Sequence, residues 1–395
     1  MTSIDSISQI QFGHRQFPQI RVLRNGDWLV SFCWTEDAYF AKSAFLRSTD
    51  RGRTWNEEGC GLESGCLIEL RDGSLAFIDS FYPLHKGGDE FVMQACFAPD
   101  GRTFGRVQYD IPLHCPDAQV ISLAEMMRNY FALPCFPWNR FFKANGYPAI
   151  APGWPETAKR IFFGGAGPAQ TVELSDGRLV SMSYCLGRRG ASTPPGYTFS
   201  YALESADRGR SWRQIGSVPW SAEFEGEGAL FGSTGFTEAG LAELADGVLL
   251  IVLRAGSGMP MAMSRSADGG RTWSQPSRIP LEDSGELARG VYPVLIRMTT
   301  GALACVYGRP GIHLMTDATG TGQHWRHEID LRAVESDLCV RRGAASADFQ
   351  STENVGLAEV APGELAITYD LWGWTESAAA PSVRQTIRLA RMIRR

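Results

Sequence analysis

The stretch from Ser266 to Trp273 reads SADGGRTW, and the chain carries two near copies, STDRGRTW at Ser48–Trp55 and SADRGRSW at Ser205–Trp212. Repetition at wide spacing marks an architecture built from one unit used several times. In each copy the aspartate (Asp50, Asp207 or Asp268) can accept hydrogen bonds from backbone N–H groups of its own turn. Gly52, Gly209 and Gly270 permit a left-handed step, and Trp55, Trp212 and Trp273 offer large apolar faces for packing between neighbouring units. Copies spread around an assembly cannot all face one substrate, so the phrase reads as structure. Degenerate versions stand at Ala98–Phe104, APDGRTF, and at Thr316–Trp325, TDATGTGQHW.

A second repeat lies between these phrases: an apolar run, a short turn with glycine, and another apolar run. It reads LRNGDWL from Leu23, LRDGSL from Leu70, LSDGRL from Leu174, LADGVL from Leu244, MTTGAL from Met298 and VAPGEL from Val360. Asn-Gly and Asp-Gly between β-rich runs signal hairpins, because the turn needs positive φ. Each hairpin opens a unit of roughly fifty residues, completed by a third strand, the eight-residue phrase and a fourth strand. The spacing predicts an all-β fold, a six-bladed β-propeller of four-stranded antiparallel blades, as a single domain over residues 1–395. The last unit has one clear strand after its hairpin, Val383–Ile393. The N-terminal run Ile7–Phe12 is expected to supply the missing strand and close the ring.

The period breaks once. Among Asp50, Asp100, Asp207, Asp268 and Asp317 the gap between Asp100 and Asp207 is long, which places an insertion at about 113–163, rich in aromatics and proline. A short helix is expected at Ser122–Tyr130. The insertion connects an outer strand to the next inner strand, hence on the face opposite the repeated turns. Two readings stand: a lid over a site, or an apolar surface for self-association into a homo-oligomer.

Composition excludes several classes. With 44% hydrophobic and 21% charged residues the chain is globular, and a net charge of −5 provides no basic footprint for nucleic acid. The apolar run GVLLIVL is strand-length, so no membrane span is expected. The start MTSIDSISQIQFG lacks the charged head and apolar core of a signal peptide, so a cytoplasmic location is expected. The nine cysteines form no C-x-x-C pair, and His324-x-x-His327 has no ligand cluster around it, so neither a metal nor a cofactor is expected.

The S-x-D-x-G-x-T-W phrase resembles the Asp-box, or bacterial neuraminidase repeat, and the chain looks like the sialidase superfamily over nearly its whole length. The stretch TEAGLAELADGVLLIVLR keeps that family's register of a glutamate, an E-L-x-D-G hairpin and an arginine, here Glu238 and Arg254. Arg309, in YGRPGIHLMT, matches a later family arginine. The resemblance implies that Arg254 and Arg309 clamp a substrate carboxylate, and that Asp37, in CWTEDAYF, is the acid/base. Two positions depart from the family. HRQFPQI places Gln16 where it has its first arginine, and STENVGLAEV places Asn354, preceded by Glu353, where it has its tyrosine nucleophile. Asparagine cannot form the covalent glycosyl intermediate. Tyr292, in GVYPVLIRM, begins an inner strand on the same face as a displaced nucleophile, general base or stacking ring, and His14 and His85 reach that face as proton carriers.

These residues point to a glycoside hydrolase of sialidase-like fold acting on a terminal acidic sugar, a sialic, ulosonic or uronic acid, with Asp37 as acid and Glu238 as base or partner. A polysaccharide lyase acting on uronates, with Tyr292 and His14 or His85 at the α-proton, is the second reading. A non-catalytic propeller that binds acidic glycans is the third.

Overall fold

The computed structural model describes residues 2–12, 16–33, 43–60, 62, 65–78, 83–105, 107–118, 120–122, 159–161, 170–186, 198–224, 235–256, 259–309, 311–331, 354–371 and 386–394. The chain opens with β1 (Thr2–Phe12), whose partner comes from the far end. A four-stranded sheet follows in simple up-and-down order: β2 (Gln16–Val22), β3 (Trp28–Cys33), β4 (Ser43–Ser48) and β5 (Asn56–Glu58). Next come β6 (Cys66–Glu69), β7 (Leu75–Ile78), β8 (Leu84–Gly87), β9 (Glu90–Ala98), β10 (Tyr109–His114), β11 (Val120–Ser122) and β12 (Lys159–Ile161). They share one eleven-stranded sheet with β13 (Gln170–Glu173), β14 (Leu179–Leu186), β15 (Thr198–Ser205) and β16 (Trp212–Ser217). Within it the meanders β6-β7-β9-β10 and β13-β14-β15-β16 meet edge to edge where β10 pairs parallel with β16, Leu113 beside Trp212.

Two further four-stranded sheets are β17 (Thr237–Glu243), β18 (Leu249–Arg254), β19 (Ala262–Ser266) with β20 (Ser277–Arg278), and β21 (Val291–Arg297), β22 (Leu303–Gly308), β23 (Ile312–Asp317) with β24 (Arg326–Asp330). The last sheet is β25 (Val355–Ala361), β26 (Glu364–Leu371), β27 (Thr386–Arg394) and the N-terminal β1, which pairs antiparallel with β27 from Thr2–Arg394 to Phe12–Thr386. The two ends of the chain thus complete one sheet, as the sequence led us to expect.

The hydrophobic core lies between sheets. Leu29, Phe45 and Phe77 join the first sheet to the β6 meander; Ile78, Leu179 and Tyr201 join that meander to the next; Ile20, Val30, Ala366 and Leu389 join the last sheet to the first. The inner strands neighbour one another in chain order, β6 on β13, β13 on β17, β17 on β21, β21 on β25 and β25 back on β2. This is a β-propeller: sheets packed face to face around an axis, each with its first strand innermost.

The hairpins are closed by a three-residue loop. Leu23 N–H donates to Asp27 O and Gly26 N–H to Leu23 O, both at 2.8 Å, and the same pair of bonds recurs at Leu70, Leu174, Leu244 and Met298. Gly26 takes φ 90° and Gly177 φ 86°, while the preceding Asn25 and Asp176 keep negative φ. The turn is therefore type I followed by a left-handed glycine, and the aspartate caps it: Asp176 Oδ1 accepts the Arg178 N–H (3.0 Å).

The eight-residue phrase is a self-contained hydrogen-bond knot. Asp268 Oδ1 accepts from Ser266 Oγ (2.8 Å), Arg271 N–H (3.0 Å) and Thr272 N–H (2.9 Å), Oδ2 accepts from Thr272 Oγ1 (2.6 Å), and Gly270 N–H donates to Ser266 Oγ (2.8 Å). Asp50 and Asp207 repeat the pattern. The aromatic residue that ends each copy is driven into the preceding unit: Trp212 against Ile78, Trp273 against Val180 and Ala202, Trp325 against Leu250. Among the described residues no helix is long and apolar enough to cross a membrane.

Partial burial opposes ionisation of Asp268, but the bonds from Thr272, Ser266 and Arg271 outweigh it and hold the carboxyl at about 2, below the ordinary 3.8. A native pKa below the unfolded one adds stability that is present above pH 4 and lost as pH falls through about 2. Asp268→Asn should therefore lower unfolding free energy at pH 7 by about 1 kcal/mol, a figure kept small by solvent exposure, and urea titrations should show the gap closing toward pH 2.

Candidate active site

The inner strands all start on the face opposite the eight-residue turns. Three of them carry a register shift at that start, between Gln16 and Gln19, between Thr237 and Ala239, and between Val291 and Val294. Such bulges re-aim side chains. Phe17 and Tyr292 occupy two of them in the left-handed backbone region, with φ of 55° and 51°. Arg309, one residue past β22, has φ 46°. Each of these precedes a proline, Pro18, Pro293 or Pro310, and the residue before proline ordinarily takes an extended conformation. A strained non-glycine residue costs about 1–3 kcal/mol and persists only when its surroundings hold it.

Carboxylates from the neighbouring sheet do the holding. Glu238 Oε2 accepts the Tyr292 N–H at 2.9 Å, and its Oε1 accepts from Arg254 Nη1 at 2.8 Å. Arg254, at the end of β18, is only 9% exposed, and Glu238 is half-buried in β17. Asp370, fully buried in β26, plays the same part for the first sheet. Its Oδ2 accepts the Phe17 N–H (3.0 Å), Oδ1 accepts the Asn354 N–H (2.9 Å), and the Asn354 side-chain amide donates to Oδ2 (2.9 Å). The Phe17 and Tyr292 rings meet with centroids 5.7 Å apart and planes tilted by 52°, and Gln19 Nε2 donates to the Tyr292 hydroxyl at 3.3 Å.

The expected site residues are placed as follows. Glu238, Arg254 and Tyr292 form one connected group from two adjacent sheets. Arg309 adjoins it, because Gly308 pairs with Val291. Asn354, 3% exposed, lies one sheet further on, sealed against Asp370. Gln16 begins β2 opposite Cys33. His85 stands in β8, its Nε2 3.1 Å from the Gly88 carbonyl. Asp37, Glu353 and His14 lie outside the described residues, as does the expected helix at Ser122–Tyr130 apart from Ser122, which ends β11. The ends of the insertion are β11 and β12, paired to each other, with β12 also paired to β8. Because β8 bonds the same edge of β9 as β7 does, this extension points from β9 toward the axis.

Sequence reasoning missed Asp370, Phe17 and Gln19. A lone aspartate in the apolar run ELAITYDL was a usable signal, since a charged residue is seldom fully buried without partners.

No protein-family model and no curated protein sequence matches the chain. Solved structures do, at low identity. One is a protein of unknown function from Dyadobacter fermentans, 17% identical with TM-score 0.64, covering 100% of this chain and 99% of that one. A Hadza microbial sialidase is 14% identical with TM-score 0.58 over 96% of this chain, which spans 65% of that sialidase. The GH93 α-L-arabinofuranosidase of Fusarium graminearum, solved with arabinobiose, is 13% identical with TM-score 0.58, covering 99% and 98% of the two chains. The chain therefore has a sialidase-like propeller fold, one shared by glycoside hydrolases.

Replacing Asp370 by alanine would leave the Phe17 and Asn354 N–H groups and the Asn354 amide buried without their acceptor. Urea denaturation should show a loss of about 3 kcal/mol or more, with a smaller loss for Asp370→Asn, which keeps one oxygen.

Proposed function

We propose that this protein is a glycoside hydrolase that removes a terminal acidic sugar at the mouth where the inner strands start. The observation that carries the reading is the strained Tyr292, pinned through its N–H to Glu238, which also holds the recessed Arg254. The propeller has six blades in this reading, the eleven-stranded sheet counting as two, and the eight-residue turns are its Asp-boxes. Both oxygens of Glu238 are engaged, so its part is to position Arg254 and Tyr292.

Arg254, with Arg309 from the next blade, holds the sugar carboxylate, since guanidinium forks match a carboxylate bidentately. Asp37 gives its proton to the leaving oxygen. Tyr292 presents its hydroxyl and ring beneath the sugar, and the Gln19 N–H aimed at the phenolic oxygen is the kind of donor that stabilises charge developing there. In a retaining reaction the Tyr292 oxygen bonds the anomeric carbon as the bond to the leaving oxygen protonated by Asp37 breaks, with solvent taking the phenolic proton, because buried Asn354 cannot serve as nucleophile. To the insertion, whose described end strands β11 and β12 extend inward from β8, falls the part of narrowing the choice of glycoside.

The test is a panel of aryl glycosides of sialic, ulosonic and uronic acids alongside an α-L-arabinofuranoside. Release of aryl alcohol from an acidic member, with kcat/KM falling at least 100-fold in Arg254→Gln but melting temperature within a few degrees of the parent, is expected. Turnover of the neutral arabinoside alone, or an unsaturated product absorbing in the far ultraviolet from uronate polymers, contradicts acidic-sugar hydrolysis.

A further inference from the structure

The axis has a second opening. On the hairpin-turn face the ends of the inner strands enclose a cavity of about 450 Å³, within the size range of small-molecule sites. Four arginines line it, Arg21, Arg24, Arg71 and Arg297. The carboxylates of this wall include Glu69, Glu173 and Glu243, and two of them are already engaged by backbone. Glu69 Oε1 accepts the Arg24 N–H at 2.7 Å, and Glu173 Oε2 accepts the Arg71 N–H at 2.7 Å. The Arg71 guanidinium is spent as well, bonded to the Glu173 and Ser175 carbonyls at 3.1 Å each.

Arg21, Arg24 and Arg297 differ. Among the described residues none of them forms an ion pair, and Arg21 makes one long bond to the Ile20 carbonyl at 3.4 Å. Glu69 feels the charge of Arg24 and Arg21, yet the four arginines against Glu69, Glu173 and Glu243 leave the wall net positive, which favours an anion between Arg21, Arg24 and Arg297. Burial pushes the Glu69 carboxyl up from its ordinary value, against the Arg24 N–H and the charges of Arg24 and Arg21. Phe17, Gln19 and Tyr292, which meet at the opposite mouth, are not among the residues that line the cavity.

We propose that the turn-face end of the channel is a second binding site, for a small oxyanion carrying two or more negative charges, held by Arg21, Arg24 and Arg297. The site is independent of the acidic-sugar mouth and uses none of its residues. Guanidinium forks grip phosphoryl and carboxyl oxygens alike, so the shared chemistry is the multivalent oxyanion.

Calorimetric titrations of the full chain with inorganic pyrophosphate and, separately, with citrate tell phosphoryl from carboxyl sources, with acetate at matched ionic strength as the monovalent reference. The expected result is one-to-one binding of at least one multivalent anion. Affinity should fall at least ten-fold in Arg21→Ala/Arg297→Ala, fall also in the exposed single variant Arg24→Gln, and stay unchanged in Arg254→Gln. The Arg24→Gln variant keeps the backbone N–H that caps Glu69, so its fold is secure. Binding no tighter than acetate, or full binding in Arg24→Gln and in the double variant, overturns the proposal. Loss of binding in Arg254→Gln alone assigns the anion to the mouth and overturns it too.

Discussion

The propeller depends on carboxylates that reach from one sheet to a backbone N–H of the next. Inner strands of neighbouring sheets converge on the axis at angles that prevent ladder pairing, so the N–H groups at their ends need partners from elsewhere. On the turn face Glu69 accepts from Arg24, Glu173 from Arg71, and Glu359 from Thr299 at 2.6 Å, each carboxylate reaching back to the preceding unit. On the mouth face the direction reverses: Glu238 reaches forward to Tyr292 and Asp370 forward to Phe17. Charge-assisted bonds of this kind are roughly twice as strong as neutral ones, and they fix the register of adjacent sheets at both ends of the channel.

That arrangement explains why strained side chains gather at the mouth end. The turn-face stitches involve backbone in relaxed turns, whereas the mouth-face stitches hold Tyr292 and Phe17 in a conformation that bulky residues before proline avoid. The strain re-aims two aromatic rings into the axis, where they meet. Arg254 gains a fixed place in the same step, because the carboxylate that holds Tyr292 also accepts its Nη1. Stability and site geometry share one set of bonds on this face.

Much of the fold was legible in the sequence because its signals are local. Turn glycines such as Gly26 and Gly177, and the Asp268 phrase, need only their own neighbours to take shape, and the pairing of β1 with β27 followed from counting strands. The type of turn was not legible, since Asn25-Gly26 suits both a two-residue and a three-residue loop, and strand twist decides. Glu69 and Glu173 stood in plain view beside the hairpin leucines. Their role depends on which sheet lies alongside, a fact that no single repeat contains. Glu238, Arg254 and Tyr292 were legible as site candidates through the resemblance, but their mutual bonds were not. Asp370 was missed because its partner Phe17 lies at the other end of the chain.

The most direct measurement is a crystal structure of the protein soaked with an acidic monosaccharide. The account predicts the sugar carboxylate within hydrogen-bond distance of Arg254 and Arg309, above the Phe17–Tyr292 ring pair, with the Tyr292 N–H still on Glu238. A carboxylate seated elsewhere on the chain, or Glu238 released from Tyr292 and turned to the sugar, would contradict it.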